Sequence, residues 1–336
     1  MGHVGVTRDD PTTWKTRVGI PRFAPAWMEA KMTTSNPKPD DPAAVENWLN
    51  SHGCRLEYRT YMAFRRNAML GDSGLGMYVE SESGEAREID VYTCDMKHGD
   101  NFDSHLFVWV ICECKYSKGM PWVLMQGNLY KSGYFTDWLH TPRSAALQKP
   151  NFSQEEVEEL RKSFHFAEGT YLAHNVLQAD LGQKQAKSKQ LDYAYDALRK
   201  ISYGAWDLIR RGESLGANIY EVVFPCLVVD GPLFCAIFNP DTKQFQAIRI
   251  PYGRVCWQGC RNGTNVDVVC ADALDEYAKK VGESFNIIVP LLAKKFNIQV
   301  SLPILEEIRR RAPPRAEAKR KAINLEGFRR RKDKET

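Results

Sequence analysis

The sequence predicts an α/β fold, a central β-sheet covered by helices. Three observations carry this prediction. Runs rich in β-branched and aromatic residues, above all residues 106–112 and 219–229, read as buried strands. Segments with apolar residues at helical spacing, residues 41–53 and 188–211, lie before and between them. Clusters of Gly, Asp, Asn and Pro separate the two kinds of segment.

Residues 1–40 hold Pro21, Pro25 and Pro37 and show no sustained period, so they read as an N-terminal arm. Residues 41–53 carry helix punctuation. Asp41 suits the cap, Pro42 the first turn and Gly53 the exit. Val45, Trp48 and Leu49 would share its apolar face. Residues 54–65, with Tyr58, Tyr61 and Phe64, read as a strand. After a break at residues 71–74, residues 77–82 and 86–94 form a hairpin around Ser83-Gly84. A polar stretch, residues 95–103, leads to the strand at 106–115.

Residues 116–185 read as an insertion containing a helix opened by a capping box, Ser153 with Glu156. Residues 188–211 form the long core helix, with Leu191, Ala194, Tyr195, Leu198, Ile201 and Ala205 as its stripe and Gly212 at its end. Strands follow at 219–229, 233–238, 245–250 and 266–270, the first three separated by the turns Asp230-Gly231-Pro232 and Asn239–Thr242. Residues 272–296 are mostly helical, with Gly282 and Pro290 expected to break the helix.

The chain of 336 residues is 43% hydrophobic and 26% charged, ordinary for a soluble globular protein. No apolar run reaches the ~18 residues of a membrane span, and the first residues lack a signal-peptide core, so a cytoplasmic, non-membrane protein is expected. Nine cysteines, several inside apolar strands, fit reduced thiols used as small apolar residues. Cys256, Cys260 and Cys270 lack the second close pair of a zinc site. Residues 309–336 hold twelve Lys/Arg and four Asp/Glu, a net of +8, which leaves −4 for the remainder. Such a basic tail is expected to be disordered alone and to attract polyanions.

One strand end stands out. Residues 106–112 run into Glu113-Cys114-Lys115, so a carboxylate and an ammonium close an apolar strand. Alternation points Glu113 and Lys115 the same way. Burying such charges is costly unless something pairs with them. Asp90, in the neighbouring Glu88-Ile89-Asp90-Val91 run, supplies a second acid. Acid-x-Lys also occurs at Glu29, Asp95, Asp241 and Glu317, but none of these ends a long apolar run. Two converging carboxylates and a lysine suit a divalent metal and an activated water.

In Asp90 and Glu113-Cys114-Lys115 the chain resembles the PD-(D/E)xK nuclease superfamily, the restriction-endonuclease-like fold. The resemblance implies a core of helix, three strands, helix and strand around a mixed central sheet. A helical insertion at about 116–185 and extra C-terminal strands and a helix would complete a domain over residues 41–308. It further implies a Mg²⁺-dependent endonuclease, with Mn²⁺ as a substitute, hydrolysing phosphodiester bonds of DNA in restriction or defence against foreign DNA. Asp90, Glu113 and the Cys114 carbonyl would hold the metal, and Lys115 would orient or deprotonate the attacking water. Glu46, on the first helix, would be an accessory acid, as in many relatives. Gln190 and Tyr193 would lie on the core helix near the site. A homodimer would supply two sites for two strands. The alternatives are a non-catalytic nucleic-acid binding module on the same fold and an RNA-directed nuclease. DNA is favoured over RNA as partner by the resemblance alone.

Overall fold

The computed structural model describes residues 41–67, 73–79, 86–98, 104–117, 119–125, 141–148, 153, 155–156, 158–159, 171–179, 188–215, 218–259 and 263–298. The expected N-terminal arm, the basic tail, the Ser83-Gly84 turn and the rest of the insertion lie outside them. The chain divides into two units, residues 1–47 and 48–336. Of the first unit, only Asp41 and the start of one helix are described. That helix, α1 (Pro42–Ser51), is capped by the Asp41 carboxylate, which accepts the Ala43 N–H at 3.0 Å. It buries none of its residues, so Val45, Trp48 and Leu49 do not form a core face.

The second unit is mixed α/β. Its main sheet has seven strands in the order β1-β2-β3-β7-β11-β10-β5. These are β1 (Ser73–Val79), β2 (Ala86–His98), β3 (His105–Lys115), β5 (Leu172–Ala173), β7 (Ile219–Val229), β10 (Tyr252–Trp257) and β11 (Thr264–Cys270). Strand β2 runs antiparallel to both its neighbours, β1 and β3, whereas β3–β7 and β7–β11 are parallel. The parallel step needs a crossover, which the long helix α4 (Ser188–Leu215) provides. A second sheet, β6-β4-β8-β9, uses β4 (Trp122–Met125), β6 (Asn175–Gln178), β8 (Leu233–Asn239) and β9 (Gln244–Ile250).

Two cores follow from strand alternation. On one face Val108, Val110, Cys112, Val222, Phe224 and Val228 pack against α2 (Cys54–Asn67) and α5 (Leu274–Lys295). On the other, Ile111, Val223, Leu227 and Val268 pack against α4 and the second sheet. Each buried side chain of this size contributes roughly 1.5–3 kcal/mol. Pro225 sits inside β7 without breaking it. The β11 ladder begins only at Cys226, so Pro225 removes no bond from that side.

Several expectations fail for identifiable reasons. Residues 54–65 are helical, not a strand: Leu56, Thr60, Ala63 and Phe64 line one helical face, all buried, and the Thr60 hydroxyl bonds the Leu56 carbonyl at 2.9 Å. The aromatic content suggested a strand, but the period of the buried residues is that of a helix. The insertion is not simply helical. It supplies β4, β5 and β6 and a short helix, α3 (Ala145–Gln148). The capping box does form, with Ser153 N–H bonded to Glu156 at 2.7 Å and the Glu156 N–H to the Ser153 hydroxyl at 3.2 Å. Helix α5 runs through Gly282 and Pro290. Its stripe from Leu274 to Leu292 is buried, while Pro290 and Asn286 are exposed, so the carbonyl that loses its bond faces water. Tyr195 is exposed rather than part of the α4 stripe, and α4 continues past Gly212.

Candidate functional site

The site lies where β2, β3 and α4 meet. Strand β1 advances from Gly74 to Gly76 while β2 advances from Tyr92 to Ile89, so Asp90 and Val91 together face one residue of β1. This bulge reverses the alternation of β2. Ile89 and Tyr92 pack toward α4, and Val91 toward α2. Bulges re-aim side chains in this way. The β2–β3 ladder stops at Val91↔Cys112, and beyond it the Asp90 carboxylate takes over as acceptor for the Cys114 N–H at 2.7 Å.

Glu113 is 1% exposed and Asp90 9%. One cation joins them: the Lys200 ammonium of α4 lies 3.3 Å from Asp90 Oδ1 and 2.7 Å from Glu113 Oε2. Lys115 approaches the other Glu113 oxygen, with Nζ 2.6 Å from Oε1, an ion pair whose angles leave Oε1 without a well-formed hydrogen bond. The Lys115 ammonium also sits 5.1 Å from the centre of the Tyr193 ring, a cation–π arrangement. Tyr193 in turn stands 6.1 Å from Trp122. Asp90, Glu113 and Lys115 are thus brought together.

The electrostatics follow from this packing. Burial, then the Asp90 charge, pushes the Glu113 carboxyl above its ordinary value, while Lys115 and Lys200 pull it down. Burial alone would lower the Lys200 ammonium, but Glu113 and Asp90 outweigh it and leave it raised. The Cys114 thiol points the other way, 3.5 Å from the Thr60 hydroxyl, and burial holds it well above the ordinary thiol range. Only its main chain faces the acids.

Glu46 is exposed on α1. The helical acid that feels the site is Glu57 on α2, whose carboxyl is raised by burial and then by Asp90 and Glu88. The side chain of Gln190 lies outside the described residues. Sequence reasoning missed both Lys200 and Glu57. Lys200 follows Tyr193 and Ala197 at helical spacing, so one face of α4 presents an aromatic, a small residue and a lysine. That pattern was a usable signal, because a small residue lets the helix approach the sheet.

At the end of β3 a further acid fixes the chain. Asp230, which follows β7, accepts the Ser117 N–H at 2.6 Å and the Ser117 hydroxyl, and the Trp122 indole donates to that hydroxyl at 3.1 Å. The Asp230 N–H bonds the Lys115 carbonyl at 3.3 Å. These contacts hold the residues just beyond Lys115.

The donors suit a hard divalent cation. Asp90 and Glu113 offer carboxylate oxygens that already converge on one positive charge, and Mg²⁺ needs only one or two carboxylates because it keeps much of its water. No group of three His, Cys, Asp or Glu side chains placed to hold a metal occurs among the described residues. No helix among them is long and apolar enough to cross a membrane. No family model, curated protein or solved structure matches this chain.

Proposed function

We propose that this chain is a Mg²⁺-dependent phosphodiester hydrolase, an endonuclease of the PD-(D/E)xK kind acting on DNA. The observation that carries the reading is the pair of buried carboxylates, Asp90 and Glu113, sharing one cation, with Lys115 beside Glu113 on the same side of the strand. The order α2, β1, β2, β3, α4, β7, with an antiparallel β1-β2-β3 and a parallel β3–β7 pair, supports it as well. So does a helical acid, Glu57, that feels the Asp90 charge from α2, the part first given to Glu46.

Asp90 and Glu113 would hold the metal. In an extended strand the N–H and C=O of one residue leave on the same side, so the Cys114 carbonyl faces the same edge as its N–H, toward Asp90. Bound there, the cation would neutralise charge on the phosphate and lower the pKa of the attacking water. Lys115 is held by Glu113 and the Tyr193 face, where its ammonium can orient that water. The cost of burying two acids is offset by the two lysines.

Purified protein incubated with single- and double-stranded DNA and RNA, in Mg²⁺, Mn²⁺ or EDTA, tests this. Cleavage of DNA that EDTA abolishes is expected. Binding of DNA without cleavage under every metal condition would refute hydrolysis and favour a binding module. Cleavage confined to RNA would redirect the substrate.

A further inference from the structure

Lys200 stands between the two carboxylates that the proposed function gives to a metal. We propose that Lys200 is the resident counter-ion of this site, that a divalent cation binds Asp90 and Glu113 by displacing it, and that the freed ammonium then meets the phosphate of the substrate. The inference rests on the metal-site reading and goes beyond it.

The charges argue for exchange rather than addition. Asp90, Glu113, Lys115 and Lys200 sum to zero, and each acid already touches an ammonium. A dication placed among the same oxygens with Lys200 still present would put like charges within about 4 Å, a strong repulsion even at an effective dielectric of about 20. Of the two lysines, Lys115 touches one carboxylate and rests on Tyr193, so it does not lie between the acids. Lys200 does. Its side chain keeps 22% of its surface exposed, and its four-carbon stem can swing outward without moving α4. An ammonium released at the mouth of the site is a compact positive charge suited to a phosphate oxygen. Cation and polyanion would therefore favour one another's binding, because the phosphate takes up the charge that the cation expels.

Calorimetric titration of Mn²⁺ into the full chain tests the exchange. The variants are Lys200→Met, Lys200→Gln and the double variant Asp90→Asn with Glu113→Gln, each checked by thermal melting. Lys200→Met should bind Mn²⁺ on the order of tenfold more tightly than wild type. The double variant should lose binding. Equal or weaker binding by Lys200→Met and Lys200→Gln, with carboxylate-dependent binding in wild type, would overturn the exchange and leave the metal site standing. No Mn²⁺ binding by any folded protein would overturn both. If neither Lys200 variant folds, lysine acylation of wild type decides: the reactivity of Lys200 must rise when Mn²⁺ is added, and an unchanged reactivity overturns the proposal.

Discussion

Glu221→Gln should make the protein more stable above pH 7 and leave it unchanged below pH 4.5. Glu221 sits on β7 far along the strand from the acids of the site, and it is 4% exposed. Burial, which outweighs the hydrogen bond from Trp109, raises its carboxyl from 4.5 to about 7, with Glu213 adding to the rise. In the unfolded chain the same group ionises near 4.5. Between those values the folded protein holds a proton that the unfolded chain has lost. The stability contributed by the protonated group is thus complete below 4.5 and is lost as pH rises to about 7. The gap corresponds to about 3 kcal/mol. Glutamine keeps the shape and the acceptor for the Trp109 indole but cannot ionise. Urea denaturation of both proteins at pH 4, 5, 6, 7 and 8 measures the difference, and other titrating groups cancel in the comparison. A difference of roughly 2–3 kcal/mol at pH 8 that shrinks toward zero at pH 4 is expected. A difference independent of pH would refute the reasoning.

Three further outcomes follow from packing. A Cβ at Gly212 would lie 1.7 Å from Glu221 Oε2, so Gly212→Ala should destabilise by about 1–3 kcal/mol, read as a lower urea midpoint. Asp230→Ala removes the acceptor of two Ser117 donors and should cost about 1–3 kcal/mol. If the residues beyond Lys115 position it, the same change should also lower kcat with KM little altered. Tyr193→Phe should preserve the Lys115 arrangement and the cleavage rate, whereas Tyr193→Leu should lower that rate by removing the ring face that holds the ammonium.

Much of the fold was legible because its strands are long and β-branched. Residues 106–115 and 219–229 announce β3 and β7, and the stripe of Ala194, Leu198, Ile201 and Ala205 announces α4. What escaped was set by tertiary structure. Strand β10 follows Pro251 and opens on Tyr252-Gly253, a run that looks like a turn until β11 pairs with it. Tyr58 and Tyr61 drew attention to strand propensity, although the buried residues of α2 repeat every three to four. Asp90 and Glu113 could be picked out locally. The bulge that turns Asp90 could not, since it exists only in the register between β1 and β2. Lys200 was hidden for a similar reason: lysine on a helix is usually solvated, and only the approach of α4 to β3 puts this one on two buried acids.

Cleavage of DNA by wild type and Lys115→Ala, side by side in Mg²⁺, bears most directly on the whole account. Wild type should nick or cut, and the variant should be inactive while melting within a few degrees of wild type, because Lys200 still compensates Glu113. Undiminished cutting by a clean preparation of Lys115→Ala would contradict the account.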